Sequence, residues 1–280
     1  MIMKSYLKGA FFLSLASIVS IFNDITVKLI DLSSNDIMFL RFFFATLILI
    51  PFTFFYKIKT DKKSLRNHGI RALIFGLSMF FFTTALKTLP IALVNAVNFS
   101  IPIWVVLFAC IFLKEPWNGR FLATCIGIIG VLITCIPIWK NANISQAILL
   151  LTGAMGFASL DVFNKHLLNK DESMVMMLLG SSFGISLLYL PFFSWNLNSV
   201  SLMPFIWLAL GSNLILYFIL KAWESCDISA IQPIKYIEFP IAIYFGKVMF
   251  QETPSIYIFI GLAVLVFGLV INAKREISKK

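Results

Sequence analysis

Charge is what this chain has least of. Asp, Glu, Lys and Arg make up 13% of its 280 residues, against 60% hydrophobic ones. Soluble domains carry about 25% charged residues, so a water-soluble globular fold is excluded. Cysteine is nearly absent too: Cys110, Cys125, Cys135 and Cys226 show no CxxC or metal-ligand spacing. No disulfide framework or zinc site follows from them. There is no GxSxG, no HExxH, no P-loop and no Cys/His constellation. Nothing nominates an enzyme, a bound metal or a cofactor. The net charge of +10 does not imply a nucleic-acid partner either, because the basic residues lie between apolar runs.

Long apolar runs are what the chain does have. They fall at 6–28, 36–56, 70–87, 91–113, 120–139, 145–167, 174–194, 203–221, 229–250 and 256–273. Most approach the roughly 20 residues that carry a helix across a bilayer. They predict an all-α membrane protein with ten transmembrane helices in a lipid bilayer. Residues 1–22, with Lys4 and Lys8 before an apolar stretch, mimic a signal peptide. The run continues past any cleavage site to Asp24, which favours an uncleaved first span.

The basic residues orient these helices. One side receives the N-terminal lysines, the loop KIKTDKKSLRNHGIR, Lys114, Arg120, Lys165, Lys170, Lys221 and the basic tail, 17 of the 23 Lys and Arg. By the positive-inside rule that side is cytoplasmic, and both termini lie there. His68 and His166 fall on it and read as solvated residues.

A shift of 137 residues lays NDITVK (23–28) on LDVFNK (160–165), Glu115 on Glu252, Asn95 on Gln232 and Asn98 on Lys235. Residues 1–140 and 141–280 would then be two five-helix repeats. An odd number of spans per repeat inverts the second copy, the architecture of secondary transporters.

Charges inside the runs mark the candidate site. The segment QPIKYIEFP (232–240) sets Lys235 and Glu238 within an apolar run. Two mid-span charges cost about 5–7 kcal/mol on insertion scales, so protein groups must meet them. Gln232, Lys235 and Glu238 are three apart and share a helix face, with Tyr236 beside it. Asn95 and Asn98 are their repeat counterparts, and Pro102, Pro233 and Pro240 can kink these helices. Lys235 and Glu238 either serve a cavity or form an internal ion pair that fixes packing. Asp24 with Lys28 and Asp161 with Lys165 have i, i+4 spacing, which allows a pair along each helix. The lysines can equally snorkel to the interface, while the carboxylates are candidates for substrate contact or gating. Arg41 is placed to meet Asp24, Asp31 or Asp36. Glu115 and Glu252 each precede a span and read as N-terminal caps.

The segment ALKTLPIALVNAVNFSIPIWVVLFACIFLKEP (85–116) and the paired five-helix plan resemble the drug/metabolite transporter superfamily of the EamA type. NDITVK, FLRFFFATLILIPF (39–52), ASLDVFNKHLLNKDESMVMML (158–178), LGSNLILYFILKAW (210–223) and IKYIE (234–238) are similar to the rickettsial S-adenosylmethionine transporters within it. The resemblance implies uptake of S-adenosylmethionine in exchange for S-adenosylhomocysteine across a bacterial inner membrane. Glu238, Asp24 and Asp161 would then meet the sulfonium and ammonium groups, and Lys235 the carboxylate. Tyr236 or Trp104 would offer adenine an aromatic face. Gln232, Asn95 and Asn98 would complete the substrate-binding surface.

Overall fold

The structure is a computed structural model and describes residues 2–55, 61–114, 120–137, 144–170, 172–195, 201–225 and 228–278. Among these, every regular element is helical. The first half holds α1 (Ile2–Leu29), α2 (Ser34–Thr53), α3 (Lys62–Thr88), α4 (Ile91–Asn98), α5 (Ile101–Phe112) and α6 (Arg120–Thr134). The second holds α7 (Ile144–Leu168), α8 (Met174–Tyr189), α9 (Met203–Ser225), α10 (Ile228–Ile231), α11 (Glu238–Phe250) and α12 (Ile256–Ser278). Among the described residues, seven stretches are long and apolar enough to cross a membrane, counting α4 and α5 as one. Three shorter apolar helical stretches, Cys125–Thr134, Pro240–Phe250 and Ile256–Gly268, lie in the remaining runs.

Several boundaries follow from identifiable residues. Ser33 caps α2, accepting the Asp36 amide at 3.2 Å while its hydroxyl donates to the Asp36 carboxylate at 2.7 Å. The first bond satisfies one of the amides a helix start leaves free. Asp61 caps α3 through the Ser64 amide at 3.3 Å. The run 91–113 is split at Phe99–Ser100, and Pro102 stands at the start of α5. Proline has no N–H to return to the Asn98 carbonyl, so the helix cannot pass through unbroken.

The run 229–250 departs further from a continuous α-helix. Between α10 and α11, residues Gln232–Ile237 form a 3-10 turn. At three residues per turn, positions three apart eclipse. Lys235 and Glu238 therefore line up along one edge more closely than on an α-helix.

Packing crosses between the halves. α1 lies against α9, α2 against α8 and α9, α3 against α7 and α8, α4 against α11, and α6 against α12. Each contact joins a helix from 1–140 to one from 141–280. The polarity is inverted relative to a soluble protein. Phe11, Ile148, Phe183, Leu187 and Val248 stand exposed, while Asp24, Arg41, Arg71, Asn95, Asp161 and Asn164 are buried. An apolar surround of lipid rewards that arrangement.

The crossing of α6 and α12 depends on two glycines. A methyl on Gly130 would sit 2.8 Å from the Gly261 carbonyl oxygen, and one on Gly261 would sit 2.7 Å from that of Gly130. Small residues let such backbones touch. Gly130→Leu should therefore destabilise the protein by about 1–3 kcal/mol, the usual range for overpacking. A thermal midpoint in detergent equal to that of the unaltered protein would show that the two helices do not meet there.

Candidate substrate-binding site

α1, α3, α7, α9, the α4–α5 break and the 3-10 turn surround one cavity. Its volume is about 1050 Å³, open mouth included. Its polar groups are Asp24, Arg41, Asn95, Asn98, Asp161, Asn164, Lys235 and Glu238, together with Asn23 and the hydroxyls of Ser17, Ser20 and Ser212. Phe75, Phe82, Phe99 and Phe157 supply the aromatic wall.

The ionic partners differ from those that local spacing predicts. The Lys235 ammonium lies 3.2 Å from the Asp161 carboxylate, and no bond within 4.0 Å joins it to Glu238. Lys165 does not turn back to Asp161 but donates to the Trp223 carbonyl at 2.6 Å. Lys28 leaves Asp24 for the Glu252 carboxylate at 2.7 Å and the Leu89 carbonyl at 2.7 Å. An i, i+4 pair on a helix is worth only about 0.2–0.5 kcal/mol, so partners from neighbouring helices win. Arg41 donates to the Ser212 hydroxyl at 2.5 Å and attracts Asp24 without touching it. Asp36 is spent on its cap and on the Ser194 amide at 2.8 Å.

Glu252, read as a cap for its own following helix, requires revision. Glu252 accepts the Ile91 amide at 2.9 and 3.0 Å, so it caps α4 in the other half. Glu115 lies outside the described residues. His68, read as solvated, is buried and contacts Arg71 and Glu172 at 2.9 and 3.3 Å.

Of the expected site residues, Asp24, Asp161, Asn95, Asn98, Lys235 and Glu238 come together at the cavity. Two do not line it. Gln232 is fully buried beside Asp161, behind the cavity wall. Trp104 packs on the apolar cluster around Val105 and Ala109, with its ring 6.4 Å from Phe108. The Tyr236 side chain lies outside the described residues. Aromatic faces at the cavity come instead from the phenylalanines, whose role local sequence hides among 30 of their kind.

Residues 7–136 match the EamA-like transporter family. An S-adenosylmethionine uptake transporter of Rickettsia conorii is 30% identical, covering 99% of this chain and 97% of that protein. One of Rickettsia felis is 31% identical over the same shares. The chain belongs to the EamA-like transporter family. A solved structure described as "Crystal structure of protein" shares its fold, with a TM-score of 0.64 and 17% identity over 97% of this chain and 98% of the other.

This EamA-like chain is therefore a multi-pass membrane transporter, not an enzyme. The cavity suits that task chemically. Three carboxylates face two cations there, leaving one formal negative charge, and among the described residues neither Glu238 nor Asp24 has an ion-pair partner within 4.0 Å. Glu238 lies beside Ser17 and within electrostatic reach of Asp24 and Lys235. Sequence reasoning passed over Asn23 and Asn164, whose counterparts under the 137-residue shift are apolar. Asn23 aligns with Leu160, and Asn164 with Val27.

Proposed function

We propose that this transporter takes up S-adenosylmethionine in exchange for S-adenosylhomocysteine, by alternating access across a bacterial inner membrane. The observation that carries the reading is the charge pattern of the cavity. A negative surplus of one, spread over three carboxylates and two cations, complements a ligand with a sulfonium, an ammonium and a carboxylate. The sulfonium belongs at Glu238 and Asp24, and the adenine among Phe75, Phe82 and Phe157. Aromatic stacking of a base is worth about 1–3 kcal/mol. The names of the two rickettsial relatives point to the same ligand.

Ten spans in two inverted repeats, 1–140 and 141–280, with both termini cytoplasmic, are the architecture this reading needs. The helix pairs support it, since the 137-residue shift exchanges the α1–α9 pair with the α3–α7 pair and the α4–α11 pair with the α5–α10 pair, and returns α2–α8 and α6–α12 to themselves. Because those pairs cross between repeats, the moving parts would be pairs of helices drawn from both.

Labelled uptake by a heterologous bacterium tests the reading. Accumulation of S-adenosylmethionine should be suppressed by S-adenosylhomocysteine but not by free methionine or adenosine. Loading the cells with S-adenosylhomocysteine should speed entry. No accumulation from well-inserted protein would remove the substrate, and indifference to loading would remove the exchange.

A further inference from the structure

Arg71 is fully buried in α3 and belongs to a chain of contacts that ends at the cavity. Its Nε donates to the Asn164 Oδ1 at 2.6 Å, and its Nη1 donates to the Met177 carbonyl at 3.1 Å. The same Nη1 lies 2.9 Å from His68 Nδ1. A guanidinium only donates, so His68 Nδ1 must accept, which leaves Nε2–H to donate to Glu172 at 3.3 Å. The Ser64 hydroxyl also donates to Glu172, at 3.0 Å. Each link fixes the next, and the rigid guanidinium fork fixes the last.

The consequence falls on Asn164. An amide meeting Arg71 Nε must present its oxygen, because its NH₂ group cannot accept. The orientation is therefore set by chemistry, and the NH₂ is turned away from Arg71. That nitrogen is buried without a hydrogen-bond partner, the residue is 0% exposed, and it lines the cavity. A buried donor left unmade is costly, so a ligand acceptor is the natural partner. Asn164 lies three residues beyond Asp161 on α7, which puts both on one face. Lys235 joins them through its 3.2 Å contact with Asp161.

We propose that Asn164, held by Arg71, joins Lys235 in receiving the carboxylate of an α-amino-acid head group, while Asp161 takes its ammonium. The proposal rests on the substrate reading above and adds which end of the ligand sits where. It makes Asn164 a specificity-determining contact and Arg71 a positioning residue. The Lys235–Asp161 pair is the resting form of this subsite, and a zwitterion replaces each partner with its own opposite charge.

Asn164→Asp is the informative variant. It keeps an oxygen for Arg71, so the buried guanidinium stays partnered, and it turns the ligand-facing donor into a carboxylate. Apparent affinities for S-adenosylmethionine and for its decarboxylated analogue would be compared in uptake competition, normalised to protein in the membrane. The unaltered transporter should prefer the carboxylate-bearing ligand by about tenfold, the scale of one charge-assisted bond. Asn164→Asp should weaken S-adenosylmethionine by at least about tenfold on the same scale, leaving the analogue unchanged or tighter. Arg71→Lys should move the preference toward equality, whereas a purely structural role would weaken both ligands alike. Equal weakening of both by Asn164→Asp, or no change in either, overturns the proposal. If that variant fails to insert, equal affinity of the unaltered protein for the two ligands overturns it. If the protein takes up no S-adenosylmethionine, the substrate reading fails separately. The head-group claim then stands on thermal protection of purified protein by methionine exceeding that by its decarboxylated amine, and falls if it does not.

Discussion

Glu238→Gln should lower S-adenosylmethionine uptake by about 30- to 4000-fold, with normal amounts of protein in the membrane. The carboxylate sits at the end of the 3-10 turn, on the cavity edge, and has no ion-pair partner within 4.0 Å in the described residues. Its charge is therefore available to a ligand cation. Losing a desolvated charge pair with a ligand costs about 2–5 kcal/mol, and each 1.4 kcal/mol is about tenfold. Glutamine keeps the shape and the hydrogen-bonding reach, so folding should survive. The comparison is between initial uptake rates and immunodetected protein in the same membranes. A Glu238→Gln protein that transports at the unaltered rate would mean that the cation is read elsewhere, and Asp24 would be the next residue to examine.

Lys235→Ala should do damage of a second kind. The ammonium is the partner of Asp161, a residue 6% exposed. Removing one member of a buried pair leaves the other charge uncompensated, at a cost of about 3–5 kcal/mol. Both stability and uptake should fall. The double change Lys235→Ala with Asp161→Ala removes the orphan charge, so the thermal midpoint should recover while uptake stays lost. Recovery of both would mean that the pair is scaffolding. Recovery of neither would mean that the 3-10 turn itself needs Lys235.

The sequence makes the membrane class and most of the cavity's polar residues legible, because both rest on signals that survive without tertiary context. A charge in an apolar run is conspicuous, and Asp24, Asp161, Lys235 and Glu238 all stand out that way. Prolines at 102, 233 and 240 likewise announce the broken helices, although only the structure shows that one break is a 3-10 turn. Partner choice is not legible. Lys28 and Lys165 have stems long enough to reach several acceptors, and the chosen ones, Glu252 with Leu89 and Trp223, come from distant parts of the chain. Asn164 escaped for a different reason. Its amide is unremarkable until Arg71, 93 residues earlier, takes the oxygen and leaves the nitrogen without a partner.

Glu252 carries a consequence of another sort. Its carboxylate holds the first amide of α4 and the Lys28 ammonium together, while that ammonium also grips the carbonyl of Leu89. Three chain segments meet on one side chain: the end of α1, the start of α4 and the turn after α11. Spreading this end of the bundle slightly would strain every one of those bonds, and none can be released without exposing the rest. Because one carboxylate ties all three segments, Glu252→Ala should loosen the end of α1, the start of α4 and the turn after α11 together. A thermal midpoint equal to that of the unaltered protein would show that the tie carries no stability.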